Sequence, residues 1–594
     1  MTPELRHNHR DERCDGHTGR VDVGMRLAGL GLGRTQGANG QPRSWVALTV
    51  YMLFAALFFG IPLLLQAKPA VLGVGADPEI FIWAFAWWPH AILHGQDPFV
   101  THVIWAPDGT NLAWTTTVPG LALAFAPLTL TAGPVVSYDV AALLMPALAA
   151  WTAFLLCRHV TRSFWPSLAG GYVFGFSSYM LGAMEGHLHL TSVFLVPLVA
   201  LVALRYVQGE LGAKGAALRL GVLFALQLTF SSEVTLTLTL ALLCSLVLAF
   251  VLVPEARPRV LSLLPVLGAA AVIAAALTSP LLYYMLSDFR SEAVNPGSPP
   301  TADLVNFVVP TDLVGIGHGW TDAVTRHYFS NRSEQAAYLG LPLIAILGWF
   351  AASSWRTRSG RFLIAAIAAA VVLSSGSWLV VLGRQVVTLP WEHIGYLPLF
   401  DNIYPARIAL YVTLGIAVVV AGWASSEGVS WLVRTGVVIL AVITLAPNPA
   451  ADAWRSTPHV PPFIAQRVYE RCLSPSDNVL VFPFGPHGDS MLWQADAGFR
   501  YRMAGAWIAP APPSSFTHPP GVADIAVYGA VQDDDAGPVR DYVRIKHVTV
   551  IVLDPGVRDI VSWQRILRKI HKPVSIGGVL VYRFRGSPPG RCTD

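Results

Sequence analysis

Long apolar runs recur from residue 45 to residue 446, and short basic linkers alternate with long polar loops between them. This alternation constrains the chain more than any motif does. The runs lie at 45–66, 135–157, 164–183, 190–207, 217–232, 234–252, 260–286, 336–353, 361–381, 405–424 and 429–446. A helix crossing a ~30 Å hydrocarbon core needs about 20 mostly apolar residues. Only 13% of the 594 residues are charged, against roughly 25% in a soluble domain. The expected fold class is therefore an α-helical polytopic membrane protein with about 11 transmembrane helices.

The apolar segment at 118–130 is too short to fit this scheme, and Gly133 and Pro134 stop it. A 13-residue helix rises only about 20 Å. The segment is read as re-entrant or interfacial, and loop charge supports that reading. If it does not cross, the linkers carrying Arg158 and Arg162, then Arg205, Lys214 and Arg219, then Arg257 and Arg259, then Arg356, Arg358 and Arg361 all share the side of the Arg-rich tail. The positive-inside rule makes that side cytoplasmic. The loops 67–134, 287–335 and 382–404, together with 447–594, then face outward.

Three regions follow from this reading. Residues 1–43 are expected to be a disordered Arg-rich cytoplasmic tail, and 44–446 the multi-span domain. The first apolar run ends without a small-residue cleavage site, so it is read as a retained anchor. In 447–594, β-branched runs at 478–483, 548–553 and 578–584 and a helical pattern at 561–570 point to a small extracytoplasmic α/β domain. Residues 510–520 form a Pro/Ser-rich loop within it. Cys472 and Cys592 both fall in this region, either as a disulfide in an oxidising compartment or as two unpaired thiols. The net charge of +4 is too small to indicate nucleic acid.

Candidate chemistry gathers in the outward segments. Asp77, Pro78 and Glu79 follow the first span. Locally they read as a helix start, with Asp as cap, Pro in the first turn and Glu favoured by the dipole. The helix they open, from Ile80 to Leu93, is rich in Trp and is expected at the membrane interface, with Pro89 kinking or ending it. The same carboxylates can instead accept a hydroxyl proton or hold a divalent cation, Mg or Mn, beside a phosphate. Glu185, His187 and His189 form either an interfacial turn or a donor set for phosphate and sugar oxygens. Glu233 stands between two spans almost without a loop and calls for a partner. Arg407 opens the span 405–424 and, with Arg384, is a candidate phosphate ligand. The plainer alternatives for Arg407 are snorkelling and a local salt bridge to Asp401. The sequence contains no Walker loop, nucleophile elbow or zinc spacing.

With these motifs the chain resembles the GT-C class of integral-membrane glycosyltransferases, most closely the bacterial multi-span type with a C-terminal extracytoplasmic domain. Four places carry the resemblance: Asp77 and Glu79; Trp105, Pro107, Asp108, Gly109 and Asn111 with the half-length segment after them; Gly186 and His187 with Pro197; and Leu397 and Pro398 through Pro405 and Arg407. The resemblance implies a polyprenyl-phosphate sugar donor and a glycan, lipid or protein acceptor outside the cytoplasm. It also implies a multi-pass protein of the bacterial inner membrane. Asp77 is then the general base or a metal organiser, with Glu79 second. Pro78 between them departs from the usual closely paired acidic motif. The other reading is a non-catalytic transporter or lipid-handling protein of the envelope, which would depend on intramembrane polar residues. A third is a structural envelope protein with the outer domain as its binding module.

Overall fold

The computed structural model describes residues 42–66, 69–289, 299–508, 522, 525, 529, 531–532, 534–557 and 559–592. The tail 1–41 and the loop 510–520 lie outside the described residues. Seven described helices are long and apolar enough to cross a membrane: Ser44–Leu64, Pro134–Thr161, Leu188–Val207, Ala213–Phe230, Ser232–Leu252, Pro254–Leu277 and Pro405–Ala424. The other four expected spans are shorter. Leu341–Ser354 and Trp431–Thr444 have 14 residues each, a rise of about 21 Å. Arg358–Ser374 has 17. The run at 164–183 is broken into Phe164–Gly175 and Ser178–Ala183, because the Ser177 hydroxyl turns to accept from the Met180 N–H and starts a new helix.

Small residues set the helix packing. A Cβ on Gly170 would stand 2.7 Å from the Ala417 carbonyl oxygen, and one on Gly175 would stand 2.5 Å from that of Pro146. A Cβ on Gly171 would meet the Tyr51 hydroxyl at 2.1 Å. The Phe164–Gly175 helix thus lies wedged against the Pro134–Thr161 and Ala409–Ala424 helices with backbones nearly touching, which only small residues allow. Tyr51 closes this joint by donating to the Leu168 carbonyl at 2.8 Å.

The segment at 118–130 forms two short helices, Pro119–Ala124 and Ala126–Ala132, with a break at Phe125. It packs back on the Pro134–Thr161 helix, where the Thr129 hydroxyl lies 3.0 Å from that of Ser137. The Asp77–Leu93 helix runs through Pro89 without ending. It is also no surface helix. Residues Pro78 to Phe85, with Trp87 and Trp88, are buried between the helices of residues 119–161 on one side and a second body of structure on the other.

That body is a five-stranded sheet with the order Val574–Ile576, Val579–Arg583, Val550–Leu553, Asn478–Phe482, Arg502–Met503. The first three strands are mutually antiparallel, and the last three run parallel. The parallel pairs need crossovers, which the helices Ser490–Asp496 and Ala536–Ile545 supply. The outer edge is not left open. Met503 donates to the Val103 carbonyl and Ala106 donates back to Met503, so the first loop extends the sheet. The strands Val71–Leu72 and Arg455–Ser456 also pair. Asn478 reaches the Ala106 carbonyl at 3.1 Å, and Lys546 pairs with Asp108. Cys472 and Cys592 are disulfide-bonded, closing 120 residues of chain.

Candidate functional site

The site begins with two glycines. Gly73 has φ +91°, and a Cβ there would lie 2.8 Å from Gly186 Cα and 2.9 Å from the Glu185 carbonyl oxygen. Gly186 has φ +143°, and its own Cβ would meet Pro78 Cδ at 2.9 Å. Both positions need the left-handed freedom of glycine and its missing side chain. Val74 then donates to the Glu185 carbonyl at 2.7 Å and fixes the approach. The approach puts the Asp77 carboxylate 3.1 Å from His187 Nε2.

Asp77 therefore does not cap its helix. It occupies the first helical turn after Ala76, which makes no side-chain cap bond. Its Oδ2 faces His187, and its Oδ1 accepts from the Trp507 indole at 3.4 Å. Burial pushes the Asp77 carboxyl up, but the hydrogen bond and charge of His187 and the Trp507 donor bring it below its ordinary value. Burial pulls His187 down. The Asp77 partner outweighs that pull and the repulsion from Arg407, and the imidazole ends above its ordinary value. The Asp77 side chain remains 38% exposed, so one face of the pair is open. His187 Nδ1 and His189 Nδ1 are buried without a described partner. His189 stacks on Phe81 at 5.7 Å, and Phe81 stacks on Tyr138 at 6.3 Å.

Glu79 points elsewhere. Its side chain is buried and takes the Leu492 N–H at 3.4 Å, beside Asp489. Burial first, then the Asp489 carboxylate, holds the Glu79 carboxyl well above its ordinary value. Next to it, Trp83 donates to Gln494 Oε1 at 2.8 Å. Glu79 joins the first loop to the Ser490–Asp496 helix. The pair read as a cation site diverges, because Pro78 separates two side chains that leave the helix in different directions. Among the described residues, no group of three or more His, Cys, Asp or Glu side chains is placed to hold a metal ion.

Arg407 makes neither of the contacts expected from its neighbours. Its Nε lies 3.0 and 3.1 Å from the two Glu334 oxygens, and its Nη1 lies 2.6 Å from Glu233 Oε2. The Tyr404 ring packs 4.4 Å from the guanidinium carbon. Asp401 takes the Asn402 amide instead. Glu233 thus finds the partner that its position demanded, while Glu334 was missed. The available signal was the same for both, a carboxylate at the edge of an apolar run.

Glu185 belongs to a second cluster. Arg332 binds it at 2.7 Å and also holds Asp312 at 3.1 Å and Asp452 at 2.7 Å. Burial lifts the Glu185 carboxyl to about 7 against the pull of Arg332. Arg384 stands apart, exposed on the hairpin of Trp378–Val381 and Arg384–Thr388. The structure thus brings Asp77, His187 and His189 together, with the Arg407 cluster close enough for its charge to act on His187. It leaves Glu79 and Glu185 in flanking joints and Arg384 outside. Below the Arg407 cluster, Thr237 and Tyr411 share a hydrogen bond at 2.9 Å at one end of an apolar cavity of about 370 Å³. Its other end reaches Val253 and Val260.

Among solved structures, the chain is similar to the Archaeoglobus fulgidus oligosaccharyltransferase in the apo form, at 12% identity and a TM-score of 0.53. That match covers 92% of this chain and 75% of the other. AglB from the same organism, in complex with an inhibitory peptide and a dolichol-phosphate, matches at 11% identity and a TM-score of 0.49, covering 86% and 69%. ArnT from Cupriavidus metallidurans, bound to undecaprenyl phosphate, matches at 10% and 0.47, covering 91% and 97%. The chain has the fold of the GT-C class. No curated protein matches it by sequence. A family model described as a domain of unknown function, DUF6311, matches residues 47–402, more than half of the chain, and the chain belongs to that family.

Proposed function

We propose that this protein is a membrane glycosyltransferase that moves a sugar from a polyprenyl-phosphate donor to an acceptor hydroxyl at the loop-bearing face. The observation that carries the reading is the half-exposed Asp77 carboxylate held against His187. With its carboxyl below the ordinary value, Asp77 is ionised throughout the neutral range and accepts a hydrogen bond from an acceptor hydroxyl. The acceptor oxygen bonds to the anomeric carbon as the bond from that carbon to the phosphate oxygen breaks. The hydroxyl proton passes to Asp77, and the electron pair leaves with the polyprenyl phosphate. His187 holds the Asp77 carboxylate through their contact and leaves its open face to the acceptor hydroxyl. Arg407 is committed to two carboxylates, so it acts as a positioning residue beneath the pair.

The apolar cavity from Thr237 and Tyr411 to Val260 suits an isoprenoid tail, and the fold of an oligosaccharyltransferase agrees with the reaction class. The disulfide favours an oxidising compartment for the loop-bearing face, with the amino terminus cytoplasmic and the protein in a bacterial inner membrane. The C-terminal sheet, whose Ser490–Asp496 crossover helix packs on the Asp77-bearing helix, is the proposed holder of the acceptor, a glycan, lipid or protein. A second reading, lipid handling without transfer, is favoured by that same cavity.

Transfer from radiolabelled polyprenyl-phosphate sugars by purified protein decides between them. Asp77→Asn is expected to lower the rate by about 10²–10⁴-fold with the fold intact. Wild-type rates in a folded Asp77→Asn protein would overturn the assignment. Absence of transfer by the wild type with every donor supplied would favour lipid handling.

A further inference from the structure

A cavity of about 190 Å³ opens between the exposed hairpin and the strap at 299–301. Two aromatic rings, Trp378 and Phe329, line it together with Thr301, Ser377, Gln385 and Glu392. Val380 and Gln385 are cross-strand partners, so both side chains leave the same face of the ribbon. Val380 is buried at the floor and Gln385 is exposed at the mouth. The floor is tight. Gly376 has φ +68°, and a Cβ there would lie 2.4 Å from Thr301 Cγ2 and 3.3 Å from Pro405. Ala406 donates to the Pro300 carbonyl at 3.1 Å, which ties the strap to the segment that presents Arg407. The cavity therefore adjoins the Arg407 cluster on its loop side.

Thr301 belongs to the wall of the cavity, where its backbone N–H donates to the Ser330 hydroxyl at 3.2 Å. The side chains of the lining say what the cavity takes. An aromatic ring takes the C–H face of a sugar, and an amide, a carboxylate and the Ser377 hydroxyl take its hydroxyl groups. Glu392 is the charged group in this lining and is exposed, so an acidic sugar meets repulsion.

We infer that this cavity is a saccharide subsite that takes one neutral sugar ring, stacked against Trp378 and hydrogen-bonded by Gln385 and Glu392. Its role, holding a ring of the acceptor beside the reaction centre, rests on the transferase reading. Its occupancy does not.

Saturation-transfer NMR on the full chain in detergent micelles tests it. The probes are methyl α-D-mannopyranoside, methyl α-D-glucopyranoside, methyl β-D-galactopyranoside and methyl α-L-arabinofuranoside, with methyl α-D-glucuronide as the acidic control. At least one neutral glycoside is expected to receive saturation on its ring protons. The signal should fall about five-fold or more in Trp378→Ala and in Gln385→Ala, the latter an exposed strand position whose loss leaves the melting temperature unchanged. The glucuronide should gain signal only in Glu392→Gln. Silence from all four neutral glycosides overturns the subsite, and so does a signal that survives both substitutions. Asp77→Asn keeps the sugar signal while losing transfer. Sugar binding without transfer in the wild type therefore sinks the transferase reading alone, and transfer without Trp378-dependent binding sinks the subsite alone.

Discussion

Trp507 donates its indole N–H to Asp77 Oδ1 across 3.4 Å, although 430 residues separate the two. The C-terminal segment thus completes the electrostatic setting of a carboxylate that follows the first span. Trp507→Phe keeps the ring and removes the donor. The Asp77 carboxyl should shift upward, and transfer should fall about three- to ten-fold, as expected for a hydrogen bond worth ~1 kcal/mol. Transfer rates against pH for the two proteins check this.

The Asp77–His187 pair also sets a stability window. His187 is raised in the folded state, so its contribution is full below its unfolded value and is lost as pH rises through the folded value. Asp77 is lowered, so its contribution is full above its unfolded value and is lost as pH falls through the folded value. Both contributions are present between about pH 4 and 6.5, the unfolded values of the two groups. The melting-temperature difference between wild type and the Asp77→Asn, His187→Gln double variant should peak there and shrink on either side. A flat difference from pH 4 to 9 would rule the pair out as an ionic contact.

Gly73→Ala and Gly186→Ala each place a methyl group where backbone or proline atoms already stand, at positive φ. Each should destabilise the protein by about 1–3 kcal/mol. Each should also reduce transfer more than that loss explains, because the approach of Asp77 to His187 is made there. Gly75→Ala has open space around its Cβ, so it meets only the φ +74° strain and is the control.

Arg407 sits between Glu233 and Glu334, all three largely buried. Arg407→Met strands two carboxylates and should cost about 3–5 kcal/mol in unfolding measurements. Adding Glu233→Gln and Glu334→Gln should restore most of it, since the penalty comes from uncompensated charge. A triple variant no more stable than Arg407→Met would contradict this account.

Glu79 and Asp77 should respond in opposite ways to amide substitution. Burial and Asp489 raise the Glu79 carboxyl in the folded state, so wild-type stability declines as pH rises above about 4.3, where the unfolded carboxyl ionises ahead of the folded one. Glu79→Gln removes that decline. Its melting temperature relative to wild type should climb as pH rises above about 4.3, with transfer nearly unchanged.

The sequence by itself determined the class of the protein. Apolar run length and the sidedness of arginines gave a polytopic helical protein with its polar loops gathered at one end, because those properties depend on composition and 1.5 Å of rise per residue. The strands at 478–482, 550–553 and 579–583 were legible from β-branched residues. Asp77, His187 and Arg407 were legible as polar groups in suspicious places. Their partners were not. Local pattern made Asp77 a helix cap, whereas two glycines from distant loops hand it to His187. Local pattern also offered Asp401 as one partner for Arg407, whereas Glu233 and Glu334, 174 and 73 residues away, take it. The broken helix at Ser177 and the burial of the Trp-rich helix against the Ser490–Asp496 helix were equally out of reach. Only tertiary structure decides such contacts. A buried charge takes whichever partner the packing brings within about 3 Å, and packing depends on the shapes of surfaces that one-dimensional periodicity does not encode.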